Sequence, residues 1–192
     1  MSMNRRRVIA AGIGGAVTGL AGCLGGSAPE EALPDPVDLE GEFDTDHGMA
    51  IGPHGGANGQ IFYRDADPRD EGNPAWFHTL VHSLFPYHFD RLDRGWKPAV
   101  VYVTDFSRVD YTVRQRDGAP RMPSPTAPET FADASDLLYV AESDVMGGMG
   151  PALHPFSDQE EAQSFIDTHG GQVFDYEEID RTLIEGIRQS ES

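Results

Sequence analysis

The chain has one cysteine, Cys23, and one lysine, Lys97, among its 192 residues. A single thiol excludes an intrachain disulfide, so stability must come from a packed core. If Cys23 is modified, no thiolate remains for nucleophilic catalysis or for soft-metal binding. The scarcity of lysine goes with a formal charge of −18. Binding to phosphate backbones needs clustered Lys and Arg, so nucleic acid is not an expected partner. No apolar run reaches the roughly 20 residues needed to cross a hydrocarbon core. There is no G-x-S-x-G elbow, P-loop or dinucleotide fingerprint, and with these the usual enzyme signatures are absent.

What the chain does have begins at its N-terminus. Arg5, Arg6 and Arg7 precede a Gly- and Ala-rich apolar run from Val8 to Leu20, which Leu20-Ala21-Gly22-Cys23 closes. This order reads as a twin-arginine export signal over residues 1–22, followed by a lipobox whose Cys23 carries a lipid. Cleavage there removes three positive charges and no negative one, taking the charge of −18 three units lower. Residues 23–46, rich in Gly, Pro, Ala and acids, lack hydrophobic periodicity. They read as a disordered tether lifting a domain off the outer face of the membrane. Acids spread along the whole chain with almost no lysine mark a halophilic surface, whose self-repulsion is screened within about 3 Å at 1 M salt.

Hydrophobic patterning predicts an α+β fold with mostly antiparallel sheets, in two small ββα-type units over 47–96 and 97–192. In the first, Met49–Ile51 and Gln60–Tyr63 read as strands. Asn73-Pro74 reads as a helix start, with Phe77, Leu80, Val81 and Leu84 at helical spacing. In the second, Pro98–Asp105 and Val109–Arg114 read as a hairpin and 117–135 as a loop. Leu137–Ala141 and Ala152–Phe156 then read as strands. Ser157-Asp158-Gln159-Glu160 opens a helix that Gly170-Gly171 ends, followed by a strand over 172–176 and a helix over about 177–188.

Two glycine-rich segments concentrate soft ligands: His47-Gly48-Met49 with His54 beyond, and Met146-Gly-Gly-Met149 with His154 beyond. Glycines around Met146 and Met149 offer little apolar surface to pack into, but let the backbone bend toward a shared centre. Thioether sulfur and imidazole nitrogen without carboxylate suit Cu(I). His78 and His82 stand at i and i+4 on the expected first helix, with His88 after it. Their default role is the boundary of a packed helix, the alternative a Zn or Cu(II) site. His169 sits where it can cap a helix C-terminus.

At these residues the chain resembles the NosL family, copper-binding lipoproteins that serve maturation of nitrous oxide reductase. The resemblance runs from about His47 to Ile179. It is closest in VYVTDFSRVDY and in SDVMGGMGPALHPFSDQEEAQSFIDTHGGQVFDYEEI. It implies a Cu(I) site formed between distant segments. Met149 falls on the methionine of the family's Pro-Met-Gly turn and Met49 on that of its Cys-Gly-Met motif. His47 stands where the family has cysteine, which implies weaker Cu(I) binding. The resulting expectation is a tethered chaperone, not an enzyme, passing Cu(I) to an extracytoplasmic copper enzyme such as nitrous oxide reductase, with a membrane copper transporter as a further partner. Met149, Met49 and His47 lead its ligand set, and Met146, His54 and His154 are lesser candidates. The alternatives are a non-metal interaction module and a histidine-based Zn or Cu(II) binder.

Overall fold

The computed structural model describes residues 32–69 and 72–190; the export signal and Cys23 lie outside them. Residues from Leu33 on form one compact unit. Its central sheet has the order β2-β1-β3-β6, with β1 at Gly59–Tyr63, β2 at Ala75–Phe77, β3 at Pro98–Thr104 and β6 at Phe131–Asp133, all antiparallel. Every residue of β1 is buried, because both faces of the sheet are covered. Ile61 and Tyr63 face the main core with Phe77, Val101 and Val103. On the other face Leu39, Ile51, Trp76 and Phe131 form a smaller cluster, packed against Tyr102.

Short strands complete the fold: β4 at Arg114–Arg116, β5 at Ala119–Arg121, β7 at Leu138–Ala141, β8 at Met146–Gly147, β9 at Gly150–Pro151, β10 at His154–Phe156 and β11 at Gln172–Asp175. One sheet runs β10-β7-β11, the other β4-β5-β8-β9, where β5 and β8 are parallel. The three helices are α1 (Phe85–Asp93), α2 (Gln159–His169) and α3 (Arg181–Gln189). Asp158 caps α2 by accepting from the amides of Glu160 and Glu161. No helix of the described residues is long and apolar enough to cross a membrane.

The α+β class with mostly antiparallel sheets is as expected, and several elements differ. Residues 34–46 are docked rather than free. Gln60 is fully buried, and its amide accepts from the Val37 N–H and donates to the Val37 carbonyl, both at 2.9 Å, as a neighbouring strand would. Leu39 is then sealed in the smaller cluster, a burial worth about 2 kcal/mol. Met49–Ile51 is not a strand: its pairing is a single bridge between Phe43 and Ala50. Asn73 does not cap a helix, because its side chain pairs with the Tyr63 N–H and carbonyl, and β2 follows instead. The apolar residues at helical spacing fall on Phe77 in β2 and on a π-helical turn, Leu80–Leu84, ahead of α1. Val109–Arg114 forms no strand with β3, whose other edge is taken by β6 from the expected loop. The last helix starts at Arg181, where Asp180 accepts from the Leu183 N–H. The central sheet draws strands from both sides of residue 96, and one core runs from Ala57 to Ile187.

Candidate metal centre

Asp44 opens the loop between the bridged residues Phe43 and Ala50, and Thr45 stitches that loop to β2. The Thr45 N–H donates to the Trp76 carbonyl, and the Trp76 N–H donates to Thr45 Oγ1. This brings the Asp44 carboxylate under His78, the residue just past β2. Oδ1 accepts from the amides of Asp46 and His47; Oδ2 accepts from the His78 N–H at 2.8 Å, the His78 ring at 2.5 Å and Ser83 Oγ at 2.5 Å. Ser83 reaches the carboxylate from the π-helical turn, a wide turn that often marks functional sites. Burial pushes the Asp44 carboxyl pKa up. The bonds from His78 and Ser83 and from the backbone of His47 and His78 outweigh it and hold the pKa well below the carboxylate range.

An ionised carboxylate only accepts, so Nδ1 of His78 carries a proton, and in the neutral imidazole Nε2 is then the nitrogen with the lone pair. That Nε2 has no hydrogen-bond partner, although His78 is only 1% exposed. A carboxylate fixing one imidazole nitrogen so that the other faces a metal is the common support of a histidine ligand. Asp44, His47 and His78 can each place a ligand atom within 4.8 Å of the others. The rings of His47 and His54 stand 6.0 and 6.2 Å from that of His78. His47 is the outer member, its side chain 38% exposed.

The two glycine-rich segments meet at this place. A Cβ on Gly148 would lie 3.0 Å from His54 Cβ and 3.4 Å from Thr79 Cγ2; one on Gly56 would lie 2.8 Å from Gly147 Cα. The turn carrying Met146 and Met149 thus packs on the loop carrying His54 and on the neighbour of His78. Met149 lines a narrow crevice with Thr79 and His82, while Met146 is half-buried in β8, paired with Pro151 and Arg121. Met49 is half-buried in the Asp44 loop, where its carbonyl accepts from the Asp44 N–H.

His154 lies elsewhere, fully buried with its ring 5.0 Å from Phe165 and 6.1 Å from Phe106. Its Nε2 is bonded to the Val145 carbonyl at 3.0 Å, and burial lowers its pKa to about 4. His78 and His82 do not share a helix face, because His78 precedes the π-helical turn. His88 is buried on α1. His169 contacts Asp144 at 3.0 Å.

Fold and site define a small α+β binding domain with one pre-oriented buried imidazole among further histidines and methionines. The NosL family model matches residues 36–184, and the chain belongs to the NosL family. The copper-binding lipoprotein NosL of Stutzerimonas stutzeri is 36% identical over 53 residues, and the match spans 28% of this chain and 28% of that protein. The crystal structure of the copper chaperone NosL from Shewanella denitrificans has the same fold, with a TM-score of 0.59 at 19% identity over 79% of this chain and 98% of that one. Neither name describes an enzyme.

Proposed function

We propose that the chain is an exported copper chaperone, anchored through Cys23 on the outer face of the membrane, that holds Cu(I) at His78. His47, His54 and the thioethers of Met49 and Met149 surround that ion, and Met146 lies beside them. The observation that carries this reading is the buried His78 ring, fixed by Asp44 at Nδ1 and unpartnered at Nε2. Imidazole and thioether donors without thiolate match Cu(I). Asp44 has both oxygens taken by hydrogen bonds, so it orients His78 rather than ligating. The recipient is a copper enzyme outside the cytoplasm. The family resemblance, with the relatives' copper-binding names, supports nitrous oxide reductase, loaded in concert with a membrane copper transporter.

The test is an anaerobic Cu(I) titration against a calibrated chelator, for wild type, His78→Ala and Met149→Ala, with circular dichroism to confirm folding. One tight equivalent in wild type, lost in His78→Ala and weakened in Met149→Ala, is the expected result. Unchanged affinity in both variants refutes the site, and no binding in wild type leaves an interaction module without metal. A second reading has its own observation, the convergence of three imidazoles with no cysteine, which also suits Zn or Cu(II). Tighter binding of those ions than of Cu(I) would install it.

A further inference from the structure

The β4–β5 hairpin lines a cleft of about 450 Å³ that His54 also borders. Its register pairs Arg114 with Arg121 and Arg116 with Ala119. Alternate residues of a strand and their direct partners share a face, so Arg114, Arg116 and Arg121 project together, and all three line the cleft. Two of them tie the hairpin to the metal centre. Arg116 Nη1 donates to the carbonyl of Pro53, next to His54, and Arg121 Nη1 donates to that of Gly147, in the Met146–Met149 turn.

The Arg114 side chain has no hydrogen bond or ion pair among the described residues, and Asp110 is the one acid among the residues that line the cleft. Asp117 lies 3.6 Å from Arg116. In a chain with 32 acids, three arginines thus stand within eight residues with Arg114 directly opposite Arg121 and no carboxylate bonded to either. Like charges so opposed destabilise the isolated hairpin and are relieved by carboxylates from outside.

We infer that this cleft is a docking surface for an acidic segment of a partner protein, whose Asp and Glu side chains pair with Arg114, Arg116 and Arg121 beside the metal centre. The concave shape fits a chain segment rather than a flat bilayer. The volume greatly exceeds one phosphate. That the partner is the copper acceptor rests on the function proposed above; the surface itself does not.

The test is anisotropy of a labelled decaglutamate peptide with the full chain, in low and in molar KCl. It compares wild type, Arg114→Glu and, as a control of equal charge change outside the cleft, Arg188→Glu on α3. The expected result is binding by wild type and by Arg188→Glu, weakened about tenfold or more in Arg114→Glu, with Cu(I) affinity unchanged in that variant. No binding by wild type, or equal binding by Arg114→Glu, overturns the inference. So does equal displacement by inorganic phosphate, which marks a free-anion site. Vesicle binding to phosphatidylglycerol that Arg114→Glu abolishes, without peptide binding, marks a membrane contact and overturns it as well. Peptide binding by a chain that takes no copper supports the surface while refuting the metal reading alone.

Discussion

Replacing His154 with phenylalanine separates the packing role of that ring from any metal role. The ring is completely buried between Phe106 and Phe165, and its pKa is lowered to about 4, by burial first and by the nearby His169 to a lesser degree. An unfolded histidine titrates near 6.5, so below that pH the unfolded chain binds the extra proton and the folded chain does not. Stability from this residue is therefore full above pH about 6.5 and falls as pH drops, by about 2 kcal/mol at pH 5 and about 3 kcal/mol at pH 4. His154→Phe removes that dependence. It also strands the Val145 carbonyl that Nε2 now meets, at a cost of about 1–2 kcal/mol. The variant is then less stable than wild type at pH 7.5 and more stable at pH 4, the curves crossing between about pH 5 and pH 6. Urea unfolding followed by the fluorescence of Trp76 and Trp96 across that range reads the crossing, and a Cu(I) titration at pH 7.5 should give wild-type affinity. A stability difference constant with pH refutes the buried-neutral assignment; loss of copper binding in a folded variant refutes the packing role.

Asp44→Asn should weaken Cu(I) binding about 10- to 100-fold in a chelator competition, because the amide no longer fixes the His78 tautomer. Its folded carboxyl lies below the ordinary range, so the stability it supplies is present above pH about 4 and lost below it, and acid unfolding of wild type should show this step beneath the histidine window. Gly56→Ala places a Cβ 2.8 Å from Gly147 Cα at φ +85°, whereas Gly95→Ala, at φ +81°, meets nothing within 4 Å. Urea midpoints should show the first costing about 2 kcal/mol or more and the second about 1 kcal/mol, with copper affinity reduced only in the first. His88→Phe, at a histidine whose pKa burial lowers to about 4, should likewise flatten the acid limb of the stability curve, measured by the same unfolding series.

Strong local signals carried the second half of the fold. Asp158 and Gly170 bound α2 where the capping residues place it, and the β-branched run of β3 is a strand because it fits between two neighbours. Two of the differences share a physical cause, side chains that imitate backbone. The Gln60 and Asn73 amides complete ladders with residues 23 and 10 positions away, and no local pattern records such long-range pairing. Asp44 escaped notice for a different reason: one acid among 32 carries no signal until its burial is known. His78 lies off any helix face because the turn that Leu80, Val81 and Leu84 pattern is π-helical and begins only at Leu80.

The same burial pattern bears on how a site without thiolate releases its cargo. In the proposed site His78 is the fixed inner donor, held by a carboxylate that is itself fully bonded, while His47 stands 38% exposed at the outer side. Transfer between proteins by ligand exchange needs a partner donor to enter before the last original donor leaves, and an exposed imidazole is the member most readily displaced. Cysteine at position 47 would place the strongest donor at the outer position, where it would resist that exchange. Histidine there makes the inner ligand dominant, so His47→Cys should tighten Cu(I) binding while slowing loss of copper to a competing chelator. Stopped-flow transfer to that chelator reads both; faster loss from the tighter variant would show that release does not begin at position 47.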